Sequence, residues 1–116
     1  MDTTQLFRGT LQTVVLRLLA ERGRMYGYEL TQHVRDRTDG ALTISEGALY
    51  PLLHKLVAAG LLDVETARVN GRQRKYYHVT AEGRAAAAEQ VRAFEAFVET
   101  MRAVLAPLPP PAPSTS

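Results

Sequence analysis

The stretch that decides the fold of this chain runs from Ser45 to Thr80 and reads SEGALYPLLHKLVAAGLLDVETARVNGRQRKYYHVT. Its first half has leucines at helical spacing, and its second half has two alternating runs on either side of Asn70-Gly71. Asn-Gly is a strong signal for a two-residue hairpin loop, because both residues tolerate a positive φ. The stretch is therefore predicted to be a short helix followed directly by a β-hairpin.

The helix in this stretch is predicted to begin at Ser45, a favourable N-cap residue, and to end at Gly60. One side of its helical wheel is apolar and is predicted to face the core: Leu49, Leu52, Leu53, Leu56 and Gly60. Pro51 removes one helical hydrogen bond and restricts Tyr50, so an irregular or kinked first turn is expected.

The hairpin concentrates positive charge on a chain whose net charge is only +2. Between residues 68 and 80 there is no acid, and there are four cations: Arg68, Arg72, Arg74 and Lys75. From residue 81 onward, acids outnumber bases by four to three. A local basic patch on a nearly neutral protein is typical of a phosphate-binding surface, although charge alone fits a solvated hairpin tip equally well.

Two more helices are predicted before this stretch, the first over Gln5–Arg22 and the second over Tyr26–Arg37. The apolar residues that define them at helical spacing are Leu11, Val14, Val15, Leu18 and Leu19, then Leu30 and Val34. Helices followed by a basic hairpin are the parts of a winged helix-turn-helix. The predicted fold class is mainly α with one β-hairpin, and residues 1–80 are assigned as the DNA-binding domain.

A long helix is predicted from Ala81 to Leu105, with Thr80 as its cap. Its apolar residues form a heptad seam of period 3.5: Ala87, Val91, Phe94, Val98, Met101 and Leu105, widened by Phe97 and Val104. So small a domain cannot cover this seam, so a second copy is expected to cover it in a two-fold dimer; the alternative is a helix folded back on its own domain. The predicted dimer interface consists of Val91, Phe94, Phe97, Val98, Met101 and Leu105.

This assignment makes residues 81–106 a C-terminal dimerisation helix. The remaining residues, 107–116, read PLPPPAPSTS and are predicted to be a disordered Pro-rich tail, because such a sequence cannot propagate a helix. The tail is assigned no function.

The major groove of DNA is wide enough to admit a helix, so the exposed side of the helix after Ser45 is expected to face the duplex. The candidate contacts on that side are Ser45, Gly47, Ala48, Tyr50, Pro51, His54 and Lys55. Small residues let the backbone approach closely, and Tyr50 and Lys55 are expected mainly to contact phosphates.

In the hairpin, Arg72, Arg74 and Lys75 are expected to follow the adjacent DNA backbone or to enter the minor groove. Tyr76 and Tyr77 are expected to point to opposite faces, one packed on the third helix and the other exposed.

Composition argues against several other classes of protein. At 116 residues the chain has room for one domain, and no cysteine is available for disulfides or thiolate metal sites. The three histidines lie one per segment, without metal-ligand spacing, so neither a metal, a cofactor nor an enzyme activity is predicted. No apolar run reaches the length of a membrane span, and the N-terminus does not resemble a signal peptide, so a cytoplasmic protein is expected.

Several spaced motifs together resemble the PadR family of transcriptional regulators, over roughly residues 6–105. They are Gly9 with the apolar stripe after it, Tyr26-Gly27-Tyr28-Glu29-Leu30, Ser45-x-Gly47-x-Leu49-Tyr50-Pro51-x-Leu53, Leu56-x-x-x-Gly60-Leu61, and Arg74-Lys75-Tyr76-Tyr77-x-Val79-Thr80-x-x-Gly83. The single C-terminal helix is similar to that of the shorter branch of the family. Ala48 departs from the pattern, since the family commonly has a threonine there, and this removes one hydroxyl contact.

The resemblance implies a dimeric winged-helix repressor whose C-terminal helix pairs with the partner and with the first helix. It also implies release from DNA by a small hydrophobic or aromatic effector, which in some short members sits between subunits. Some of those members have a tryptophan in that pocket, and this chain has none. The residues suggested for an apolar pocket, or alternatively for plain interface core, are Leu11, Val15, Phe94, Phe97, Val98 and Met101.

The predicted function is sequence-specific binding of double-stranded DNA as a transcriptional regulator with a pseudo-palindromic operator. The alternative is a winged-helix module for protein–protein contact, which the fold by itself does not exclude.

Overall fold

The computed structural model describes residues 9–112, and this part of the chain consists of four helices and one small sheet. The elements in chain order are α1 (Leu11–Arg22), β1 (Met25–Tyr26), α2 (Gly27–Arg37), α3 (Glu46–Ala58), β2 (Leu62–Val69), β3 (Arg72–Val79) and α4 (Ala81–Leu105). The strands pair antiparallel in the order β1-β3-β2. The predicted class, mainly α with a hairpin and a long C-terminal helix, is confirmed.

The core lies where the first three helices meet the base of the hairpin. Eight of its side chains are fully buried: Val15, Leu16, Leu19, Leu30, Leu49, Leu53, Leu56 and Leu62. On α3, three of the leucines that were predicted to face the core do so, namely Leu49, Leu53 and Leu56, whereas Leu52 is half-buried. Gly60 is exposed and does not belong to the core, because it follows the helix with a φ of 80° and terminates it.

The helix boundaries differ from the prediction at two N-termini. Residues 9 and 10 form a turn and α1 begins at Leu11, so the prediction that the helix includes residues 9 and 10 was wrong. The predicted start at Gln5 lies outside the described residues. The second helix begins at Gly27, because Tyr26 belongs to a strand. The third helix runs unbroken through Pro51, whereas an irregular turn was expected.

The hairpin follows the Asn70-Gly71 signal. Both residues have positive φ angles, 51° and 77°, as a type I′ turn requires. The register then runs without a break from Val69 opposite Arg72 to Leu62 opposite Val79. The local sequence therefore fixes which side chains face each other across the hairpin.

Strand β1 was not predicted, because two residues are too short to show a pattern. It pairs with β3, placing Met25 opposite Tyr77 and Tyr26 opposite Tyr76. As a result both tyrosines of β3 are buried, Tyr77 against the core and Tyr76 against β1, and the expectation that one would be exposed was wrong.

Helix α4 begins and ends where the sequence predicts. The Thr80 Oγ1 accepts a hydrogen bond from the Gly83 backbone N–H at 3.0 Å. The first half of α4 packs on α1, where Arg84 donates to the Ala20 carbonyl at 3.2 Å. The second half extends away from the domain and leaves Phe97 58% exposed. None of the helices in residues 9–112 is long and apolar enough to cross a membrane.

Candidate nucleic-acid interface

One side of α3 faces outward as a continuous surface, which we call the α3 face. It consists of Ser45, Gly47, Ala48, Tyr50, Pro51, His54 and Lys55, and all seven are exposed. At its start the Ser45 Oγ accepts a hydrogen bond from the Ala48 N–H at 3.2 Å and caps the helix. The buried leucines on the opposite side of α3 hold this surface outward.

Tyr50 has a fixed position on this face because its ring packs over the start of α2. A Cβ added at Gly27 would lie 2.6 Å from the Tyr50 hydroxyl oxygen, so the glycine leaves room for the ring in this position, and a larger residue would make the ring shift. Burial raises the pKa of the Tyr77 phenol, and the neighbouring Tyr50 adds to that rise. Tyr50 therefore joins α3 to α2 while keeping 37% of its surface exposed.

The hairpin forms the wing, and its register divides the four cations between its two faces. Side chains alternate along a strand, so Arg72 and Arg74 share a face with Tyr76. Lys75 shares the other face with Tyr77, and so does Arg68, which lies opposite Gln73. Arg68 was not among the predicted contacts, although the two-residue turn already determined its place in the register.

Arg74 differs from the other predicted wing contacts. Arg72 and Lys75 are exposed, whereas Arg74 is half-buried with its guanidinium carbon 4.2 Å from the centre of the Tyr26 ring. Its Nε is buried and has no hydrogen-bond partner among residues 9–112. The Arg74 guanidinium is therefore held against Tyr26, and its contact with DNA stays a prediction.

Two open hollows flank the α3 face. The hollow between α3 and the wing has a volume of about 330 Å³ and brings together Tyr50, His54, Arg74 and Lys75. The hollow on the other flank, about 620 Å³, lies between α3 and the start of α1 and is bordered by Ser45, Gly47, Ala48 and Lys55. The α3 face therefore stands out between two depressions, a shape that suits insertion into a groove.

The residues suggested for an effector pocket fall into two separate groups. Phe94, Phe97, Val98 and Met101 border an open apolar hollow of about 500 Å³ on α4, together with Arg102, Leu105 and Ala106. Val15 is fully buried in the core, and Leu11 borders the hollow beside Ser45. Within one protomer the structure does not bring the α1 and α4 groups together.

The histidines do not form a metal centre in the part of the chain that the structure describes. No group of three or more histidine, aspartate or glutamate side chains in residues 9–112 is arranged to hold a metal ion. His54 belongs to the α3 face, and the His78 Nε2 lies 3.7 Å from a carboxylate oxygen of Asp63 on the neighbouring strand.

Comparisons with known proteins agree with this geometry. A family model described as "Transcriptional regulator PadR-like family" matches residues 15–89. A transcriptional regulator of Mycobacterium tuberculosis is 42% identical over 76 residues, which cover 66% of this chain and 68% of that protein.

Solved structures give the same result. A PadR family transcriptional regulator from Eggerthella lenta has a TM-score of 0.78 and 32% identity, covering 90% of this chain and 88% of that chain. A transcriptional regulator from Clostridium thermocellum has a TM-score of 0.79 and 28% identity, covering 87% of this chain and 98% of that chain. With its winged helix, basic hairpin and long C-terminal helix, this chain belongs to the PadR-like family of transcriptional regulators.

Proposed function

We propose that this protein is a cytoplasmic homodimeric repressor that binds a pseudo-palindromic operator in double-stranded DNA. The observation that carries the proposal is the exposed α3 face lying beside a wing with four cations and no acid between residues 68 and 80. This is the arrangement with which winged helices hold a duplex.

On the α3 face, the residue types divide the work. Gly47 has no side chain and Ala48 has only a methyl group, so the backbone here can approach a groove edge closely. Lys55 and Tyr50 supply a charge and a hydroxyl for phosphates, which position the protein without reading sequence. His54 lies between them and has ring nitrogens suited to base edges or phosphates.

The dimer is proposed from the second half of α4. Phe94, Phe97 and Leu105 are 40%, 58% and 72% exposed, and they continue the seam that starts at the buried Ala87. An apolar stripe of this length on a monomer is unfavourable in water, and a second copy related by a two-fold axis would bury it. Two copies also place two α3 faces on one duplex, separated by about one helical turn or a multiple of it.

Release by a small hydrophobic or aromatic effector is proposed on the open apolar hollow of α4. Its walls include Phe94, Phe97 and Met101, whose side chains suit an aromatic ligand. In the dimer the partner's helix would close this hollow. A screen of small aromatic molecules against the bound operator tests this role, and a Phe97→Ala variant should respond less than the wild type. If the wild type responds to none of them, effector release is wrong.

DNA binding is tested first by selecting bound duplexes from a random pool. Enrichment of a site with two-fold symmetry is the expected result. Failure to enrich any site would favour the alternative, a winged-helix module for protein–protein contact.

The wing is then tested by the salt dependence of binding to the selected site. Each phosphate contact contributes about 0.9 to the slope of log K against log salt, because it releases counterions. Arg72→Ala and Lys75→Ala should each flatten the slope by about 0.9 per wing, and so by about 1.8 in a dimer. Fluorescence anisotropy over a salt series from about 50 to about 200 mM measures this change in slope.

The matched control for the wing variants is Arg22→Ala, an exposed arginine in the last turn of α1. It removes the same charge from the surface of a different element and should leave the slope unchanged. An equal slope in wild type and wing variants would contradict the wing contact.

A further inference from the structure

Four side chains on one face of the sheet form what we call the Arg–Tyr stack: Arg24, Tyr76, Tyr26 and Arg74. The guanidinium carbon of Arg24 lies 4.5 Å from the centre of the Tyr76 ring, and that of Arg74 lies 4.2 Å from the centre of the Tyr26 ring. The two rings meet edge to face, with centroids 5.5 Å apart and planes at 81°. Cations over aromatic faces and edge-to-face rings are both attractive contacts.

The stack is attached to three different elements. Tyr76 and Arg74 belong to β3, in the wing. Tyr26 precedes α2, and its backbone N–H donates to the Glu29 Oε1 at 3.2 Å, which fixes the start of that helix. Arg24 donates to the Glu65 Oε1 of β2 at 2.6 Å, and this hydrogen bond raises the pKa of the Arg24 guanidinium.

The outer part of the wing needs such an attachment, because the core holds the wing at its base, through Leu62 and Tyr77. An isolated two-stranded hairpin is marginally stable in water, and β1 adds only two residue pairs at its base. Arg74 lies further toward the tip than either of those pairs. Its contact with Tyr26 therefore ties the middle of the wing to the start of α2, beside Gly27, where Tyr50 of α3 packs.

We propose that Arg74 is a positioning residue: it acts through Tyr26 to set the direction of the wing relative to α3, and it does not itself contact phosphates. The exposed wing cations Arg68, Arg72 and Lys75 then make the phosphate contacts. The proposal rests on the proposed DNA-binding function and assigns a role within it. It follows from the buried Nε of Arg74 and the position of its guanidinium over the ring.

The first test needs no DNA and uses nuclear magnetic resonance of the full chain. The Arg74 Nε–H signal should be shifted upfield by the ring current of Tyr26 and should exchange slowly with water. Tyr26→Leu should abolish both effects, whereas Tyr26→Phe, which keeps the ring, should retain them. Tyr28→Leu is the matched control, since Tyr28 is a neighbouring tyrosine that is 60% exposed. An Arg74 signal unaffected by Tyr26→Leu would overturn the proposal.

The second test measures affinity for the selected duplex over a salt series. Arg74→Ala and Tyr26→Leu should each lower affinity by roughly two- to five-fold per wing, and so by roughly five- to thirty-fold in a dimer, at every salt concentration, the range expected from loss of a surface cation–π contact. Neither should change the salt slope, and the double variant should be no weaker than either single one. Tyr26→Phe should bind like the wild type.

The outcomes separate the two proposals. If Arg74→Ala flattens the salt slope as Arg72→Ala does, and Tyr26→Leu binds like the wild type, Arg74 contacts phosphate and its positioning role is wrong. If the two single losses add in the double variant, the residues act independently and the positioning role is again wrong. A wild-type protein that binds no duplex overturns the proposed function, and the role of Arg74 with it, even where the resonance experiment detects the stack.

Discussion

At the scale of single residues, the structure distinguishes glycines that the sequence presents as equivalent. A Cβ added at Gly83 would collide with the backbone carbonyl of Leu61, which cannot move aside because it accepts a hydrogen bond from the Thr80 N–H at 3.1 Å. A Cβ at Gly47 would meet no atom within 4 Å. The first glycine is required for the close approach of α4 to the end of α3, whereas the second leaves open space beside the α3 face.

Gly83→Ala should therefore lower the free energy of unfolding by about 1–3 kcal/mol, the usual cost of overpacking. Urea unfolding followed by circular dichroism measures this change. Gly47→Ala is the control and should leave stability unchanged or raise it by up to about 1 kcal/mol, because alanine is the better helix former. If Gly83→Ala were as stable as the wild type, the contact with Leu61 would not be a close one.

At the scale of elements, α3 shows how tertiary packing overrides a local signal. Pro51 has no N–H to donate to the Gly47 carbonyl one turn earlier, yet the helix runs from Glu46 to Ala58 without a break. The helix persists because Leu49 and Leu53, on either side of the proline, are fully buried. The energy of core burial exceeds the cost of the missing hydrogen bond.

Pro51→Ala should restore that hydrogen bond and raise the free energy of unfolding, by roughly 1–3 kcal/mol given the penalty for proline in a helix interior. Thermal and urea unfolding measure the gain. Pro107→Ala serves as the control, since Pro107 is exposed and follows the end of α4, and its effect should be small. Equal stabilities for Pro51→Ala and the wild type would argue that α3 is not held as a regular helix at this point.

At the scale of the whole molecule, α4 gives the protomer an elongated shape of 81 × 29 × 21 Å. Its radius of gyration is 18.9 Å, whereas a compact domain of this length would have one of about 13 Å. The difference comes from the second half of α4 and the described residues after it, and along this half Phe94, Phe97 and Leu105 remain exposed. The shape therefore supports the proposed dimer, in which a second copy covers these side chains.

Val98→Glu should separate the proposed dimer, because a carboxylate in an apolar seam costs on the order of several kcal/mol unless it is paired. Light scattering at micromolar concentration should give the mass of a dimer for the wild type and of a monomer for the variant. Ala96→Glu adds the same charge on the exposed opposite side of α4 and should remain dimeric. A Val98→Glu protein that remains dimeric would rule out the seam as the interface.

Much of the fold was predictable because its signals are local. The Asn70-Gly71 turn set the hairpin register, and Ser45 and Thr80 marked two helix starts through their own capping hydrogen bonds. The side of α3 that faces the core followed from helical periodicity alone. Each of these features depends on residues within a few positions of one another, so the sequence contains the whole signal.

The rest was decided only by tertiary structure. Strand β1 is too short to show a pattern in the sequence. It forms because its backbone pairs with the edge of β3, and this pairing buries Tyr76. Arg72 and Arg74 lie on one strand and have the same charge, so both were predicted as DNA contacts. Only the folded chain places Tyr26 beneath the guanidinium of Arg74. The sequence by itself determined where the cations are, whereas contacts between residues distant in the chain decided which of them is held against an aromatic ring and which are exposed.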